Sequence, residues 1–126
     1  MSTPQEQTVR ALLDAIAAKD IKTAVETFAP DATYHVSAWK DPVIGTAAIT
    51  AEFERQAGIF ADFSYEIRWM VSTESSVFNE RIDSMRIGGK PVSLHWASVV
   101  ELDGDGRISA MRDYYDTAEL QSQLAS

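Results

Sequence analysis

Residues 77–87 read VFNERIDSMRI. As a β-strand, this stretch turns alternate side chains to one face, so Val77, Asn79, Arg81, Asp83, Met85 and Ile87 point the same way. Gly88-Gly89 follows at once and is a two-residue hairpin signal. That turn sets Ile87 opposite Lys90. Counting back places Met85 opposite Val92, Asp83 opposite Leu94 and Arg81 opposite Trp96. Leu94, Trp96, Ser98 and Val100 therefore share the face. A charged pair, Arg81 and Asp83, stands in the middle of a wall that is otherwise mostly apolar.

Outward from this hairpin the chain alternates between clear signals. Thr3-Pro4-Gln5-Glu6 is a capping-box pattern with proline at the first helical position. Val9, Leu12, Leu13 and Ile16 then recur at helical spacing, which predicts a helix over 4–18. Asp20 caps a short second helix that ends at Ala29-Pro30-Asp31. Residues 32–37 read as a strand, 38–45 as a loop and 46–60 as a third helix. Strands follow at 64–72, 77–87, 92–102 and 107–116, and a short helix begins at Thr117. Trp39, Trp69 and Trp96 are expected in the core or in a pocket wall.

The order is α+β. The expected form is a cone: a curved, mostly antiparallel mixed sheet with about three N-terminal helices packed over its concave face. Such a cone encloses a ligand pocket. One domain spans 1–126, a length that suits a single core.

The next hairpin brings in a third charge. Either a two-residue or a four-residue turn at 103–106 pairs Leu102 with Arg107, Ser98 with Met111 and Trp96 with Asp113. Asp113 then lies in the row of Arg81, two strands away, with the backbones roughly 10 Å apart. One extra residue in the turn or a bulge would turn Asp113 outward. A surface ion pair would account for Arg81 and Asp83 with no consequence. Inside an apolar wall, however, such a cluster costs free energy and gives little net stability. Charge clusters of this kind concentrate at functional sites. Two carboxylates around one guanidinium become neutral by retaining a single proton, which leaves an acid and a base in one site.

Glu80-Arg81-Ile82-Asp83, followed by Met111-Arg112-Asp113-Tyr114-Tyr115-Asp116, resembles limonene-1,2-epoxide hydrolases. These belong to the cone-shaped superfamily of nuclear transport factor 2, SnoaL-like cyclases and ketosteroid isomerases. The resemblance implies that Asp113 is the base that activates water and Asp83 the acid that protonates the epoxide oxygen. Arg81 bridges them, and Tyr34 helps hold the water. In that family an asparagine stands two residues after the tyrosine, where this chain has Val36. A shift of one places His35 and Ser37 in the two slots, so these are the expected substitutes. Trp96, Leu94, Met85 and Met111 are the expected substrate-binding wall.

The implied activity is a cofactor-independent opening of a small apolar, cyclic epoxide to a vicinal diol by a homodimer. The alternatives are a SnoaL-like polyketide cyclase, a proton-shuttling isomerase, or a ligand-binding domain without catalysis.

The totals narrow the partners. Net charge is −8 and the pI about 4.6, which opposes nucleic acid and anionic membrane surfaces. There are no cysteines, so thiolate chemistry and disulfides are excluded. The two histidines share no ligand spacing, so no metal site is expected. The N-terminus lacks the basic start and apolar run of a secretory signal, and the expected location is the cytoplasm. Asp103-Gly104-Asp105-Gly106 is a plain turn rather than a calcium loop.

Overall fold

The computed structural model describes residues 2–125. The helices are α1 (Pro4–Ala17), α2 (Ile21–Glu26), α3 (Thr46–Ile59) and α4 (Thr117–Leu124). The strands are β1 (Phe28–His35), β2 (Val43–Ile44), β3 (Phe60–Ser72), β4 (Ser76–Ile87), β5 (Lys90–Leu102) and β6 (Ile108–Tyr115). They form one curved sheet in the order β2-β1-β6-β5-β4-β3, antiparallel except where β1 runs parallel to β6. This is the α+β cone expected of the sequence, with a fourth, C-terminal helix. No described helix is long and apolar enough to cross a membrane.

Local chemistry sets the helix ends. Thr3 caps α1 by accepting from the Glu6 amide at 3.1 Å. The return half of the capping box is absent, because the Glu6 carboxylate instead accepts from the Ser72 hydroxyl at 2.6 Å and ties α1 to the end of β3. Asp20 and Asp116 cap α2 and α4 by accepting from the amides of Thr23 and Ala118. The apolar stripe of α1 (Val9, Leu12, Leu13) and Ile49 and Phe53 of α3 bury against β1, β4, β5 and β6 in one core. A second cluster sits at the other end of the sheet. There Leu120 and Leu124 of α4 cover Met85, Val92 and Leu94.

The β4–β5 hairpin has the register counted from the sequence, from Ile87 opposite Lys90 to Arg81 opposite Trp96. Both turn glycines take positive φ, 58° and 81°, which a two-residue turn of this hand requires.

The β5–β6 hairpin differs from the count. Leu102 pairs with Ile108 instead of Arg107, because Asp103 gathers the turn by accepting from the amides of Asp105 and Arg107. A further register shift between Glu101 and Leu102 leaves Ser109 as an extra residue. Each slip alone would turn Asp113 outward. Together they restore its inward direction and move it two positions, so that it faces Ser98 and Tyr115 faces Trp96. Asp113 thus stands in the row of Asn79, not of Arg81.

Three more differences have local causes. β1 begins at Phe28, four residues early, and carries Pro30 in a stretch where the β1–β6 register is irregular and no ladder donor is needed. Val43 and Ile44 pair with β1 inside the segment read as a loop. A register shift between Ile67 and Trp69 turns Trp69 and Val71 to the outer face, where they are 54% and 44% exposed. Trp39 is exposed too, which leaves Trp96 as the one tryptophan of the three in the wall of the cavity under α1 and α3.

Ile49 is completely buried in the α3–sheet interface. Ile49→Ala is expected to lower the unfolding free energy by about 2–5 kcal/mol in urea titration.

Candidate active site

Under α1 and α3 the concave face encloses a cavity whose wall includes Tyr34, Asn79, Arg81, Asp83, Ser98 and Asp113. The three charged groups of this cluster are out of water: Arg81 is 4% exposed, Asp83 2% and Asp113 3%. Such groups persist only with near-complete pairing.

Arg81 chelates Asp83. Its Nε and Nη2 donate to the two carboxylate oxygens at 2.9 and 2.8 Å. Its Nη1 donates to the Asn79 side-chain oxygen at 2.8 Å and to the Ser98 hydroxyl at 3.1 Å. Arg81 has no acceptor, so Ser98 must point its single hydrogen elsewhere. It donates that hydrogen to Asp113 Oδ1 at 2.7 Å. The second oxygen of Asp113 accepts from the Tyr34 hydroxyl at 2.7 Å. Gln56 of α3 donates to the Tyr34 oxygen at 3.4 Å and holds that phenol from behind. Phe53 fixes the ring of Tyr34, with centroids 5.5 Å apart.

The two acids therefore occupy different environments. Asp83 is in a two-pronged ion pair. Asp113 meets Arg81 through Ser98, a correction to the direct clasp that the counted register implies. The two-position shift of β6 is the cause.

Burial pushes the Asp113 carboxyl up, and the Arg81 charge with the Tyr34 and Ser98 donors only partly offsets it. For Arg81, burial opposes the charge, but the bonds to Asp83 outweigh it and hold the guanidinium above its ordinary value. Burial, followed by the Asp113 charge, lifts the Tyr34 phenol well above 10.0, so it stays a donor. With Arg81 cationic, a single proton shared by the two carboxyls makes the cluster neutral.

The apolar wall contains Met85, Trp96 and Met111 as expected, with Trp96 stacked flat on Tyr115 at 4.3 Å. Leu94 lies opposite Asp83 but packs into the cluster under α4, outside the cavity wall. His35 and Ser37 are also outside it. The His35 ring bonds to the Lys40 carbonyl at 2.8 Å, and the Ser37 hydroxyl to the Tyr115 hydroxyl at 2.9 Å. The strand ends at His35 and the chain bends away, so neither side chain follows Tyr34 into the cavity.

Gln56 and Asn79 are site residues the sequence reading did not single out. Gln56 lies seven residues after Ile49 and three after Phe53, a spacing that places it on the buried face of α3. Asn79 lies in the inward row of β4 beside Arg81. Among the described residues no three histidine, aspartate or glutamate side chains converge as a metal site would need.

The chain belongs to the SnoaL-like domain family, whose sequence pattern matches residues 9–111. It is similar to an LEH-like epoxide hydrolase of M. tuberculosis, with 26% identity, 98% of this chain and 92% of that one covered, and a TM-score of 0.83. It shares its fold with SalBIII, an epoxide hydrolase/cyclase-like enzyme in pyran ring formation in the polyether salinomycin (21% identity, 91% and 92% covered, TM-score 0.81). It also shares it with a Shewanella denitrificans OS-217 protein assigned as a SnoaL-like polyketide cyclase (18% identity, 96% of each chain covered, TM-score 0.86).

The raised Asp113 has a thermodynamic signature. The folded chain binds this proton more tightly than the unfolded one, so stability falls as pH rises from about the ordinary value, 3.8, through the folded pKa. Asp113→Asn removes that loss. It is expected to unfold at a higher temperature than wild type at pH 7, with the gap closing as the pH approaches 3.8. Calorimetry across that range checks it.

Proposed function

We propose that the protein is a cofactor-independent epoxide hydrolase acting on a small, apolar, cyclic epoxide. The observation that carries this reading is one cavity wall with two carboxyls in unlike settings. One is chelated by a guanidinium, and the other is raised by burial and held by two hydroxyl donors. The similarity to the LEH-like hydrolase of M. tuberculosis supports it.

The chemistry is a single displacement. Asp113 takes a proton from water as the water oxygen forms a bond to an epoxide carbon. The carbon–oxygen bond on that carbon breaks, and Asp83, in the state of the cluster where it carries the one shared proton, gives that proton to the departing oxygen, so no free alkoxide forms. The product is a vicinal diol. Afterwards Asp113 holds a proton and Asp83 does not, and a net transfer of one proton restores the start. Burial raises the Asp113 carboxyl, which makes it the stronger base once it has ionised. Arg81 keeps Asp83 oriented and balances the charge that moves between the acids. Tyr34 and Ser98 fix the carboxylate plane of Asp113. The wall of Met85, Trp96 and Met111 suits a hydrocarbon body and excludes bulk water.

A second reading uses the same acid–base pair on a hydroxyl of the substrate itself and closes a ring. The early strand favours weighing it, since neither His35 nor Ser37 reaches the cavity to hold water.

Turnover of cyclohexene oxide and limonene oxide in ¹⁸O-water separates the two. The expected result is one labelled oxygen in a diol; a cyclic product free of label would replace hydrolysis with cyclisation. Asp113→Asn and Asp83→Asn are each expected to lose at least about 10²–10⁴-fold in kcat with an unchanged circular dichroism spectrum. The kcat/KM of wild type is expected to rise with pH along an acidic limb above 3.8, where Asp113 ionises.

A further inference from the structure

Two buried donors in the cavity wall make no hydrogen bond: the side-chain nitrogen of Asn79 and the indole nitrogen of Trp96, the second close enough to Asp113 to favour its charge without meeting it at bonding geometry. Unmet buried donors are rare and call for an explanation, most often water or a ligand. For Asn79 the orientation is forced. Arg81 only donates, so the Asn79 oxygen faces it and the amide NH₂ is left over. The residue is completely buried, so bulk solvent does not reach that group.

Its place in the sheet gives the group a role. Asn79, Ser98 and Asp113 are consecutive neighbours in one row across β4, β5 and β6. The short Ser98 side chain lies between them with its hydrogen committed to Asp113. The outer two residues thus bound a gap roughly 10 Å wide at the backbone, narrowed by two inward side chains. One end offers an N–H donor, the other a carboxylate acceptor.

Water has two hydrogens and two lone pairs. To attack carbon it must give a hydrogen to the base and keep one lone pair free, so it tolerates a single donor. The Trp96 indole already stands beside Asp113 and favours its charged form. The Asn79 NH₂ has no competing duty. We propose that Asn79 is the positioning residue for the nucleophilic water, donating to its oxygen while that water donates to Asp113. It fills from β4 the place that Val36 leaves empty on the early strand. The assignment rests on the hydrolase reading for its consequence in catalysis, and on the orphaned donor for the water itself.

The test is a high-resolution crystal structure of the substrate-free full chain, with kinetics of Asn79→Ala. A water within about 3.2 Å of both Asn79 Nδ2 and Asp113 is expected in wild type. It should vanish in Asn79→Ala while the Arg81–Asp83 pair stays in place. On an epoxide substrate the variant should lose up to about 100-fold in kcat at unchanged KM, the effect of a misplaced reactant. A wild-type cavity with no such water, or with the water on Trp96 instead, overturns the proposal, whether or not the variant folds. So does a variant whose KM rises while kcat holds, since Asn79 would then bind substrate. The crystallographic result needs no turnover. A protein that shows the water but opens no epoxide would sink the hydrolase reading and leave the water site standing.

Discussion

A guanidinium that cannot shed its charge lies almost wholly out of water, and the rest of the site answers to it. Arg81 must find acceptors for its donors within a few ångströms, and the sheet supplies them from three inward positions, Asp83, Asn79 and Ser98. Removing one partner of such a buried pair leaves an uncompensated charge, while replacing the whole group with apolar side chains is often neutral or stabilising. Stability alone is therefore a poor reason for the cluster. Its value lies in fixing two acids at a set separation, with one positive charge to balance whichever of them is ionised.

The same network joins layers of the fold. Gln56 of α3 leans on Tyr34 of β1, Tyr34 and Ser98 of β5 hold Asp113 of β6, and Ser98 leads on to Arg81 and Asp83 of β4. Five elements converge on a few polar atoms. The packing of α3 on the sheet, through Ile49 and Phe53, thereby sets the angle of a phenol that touches the base. Core packing and site geometry here are one problem, because a helix that drifts would loosen a hydrogen bond in the cavity.

Much of this was legible in the chain before folding. The capping residues Thr3, Asp20 and Asp116 marked helix starts, and Gly88-Gly89 fixed a register that holds from Ile87 back to Ser76. The inward row of Arg81 and Asp83 followed from period-two counting alone. What escaped was irregular backbone. Bulges carry no hydrophobic signature, so the flip of Trp69 outward and the two slips before Asp113 could not be counted. The bend after His35 was equally silent, which is why His35 and Ser37 were expected in a cavity they do not reach. Asn79 and Gln56 sat in the correct rows, but an uncharged amide in an inward row reads as ordinary until its partners are known.

The paired slips of the β5–β6 hairpin have a consequence for how this family can drift. Side-chain direction alternates along a strand, so a residue gained or lost from Asp103 to Ala110 with no compensating slip would reverse Asp113 and leave the cluster with an arginine and a lone acid. Changes of two residues would keep it. Length variation in this turn is thus quantised by parity. Descendants that keep the chemistry should differ here by even steps, or pair an odd step with a second slip such as the one at Ser109.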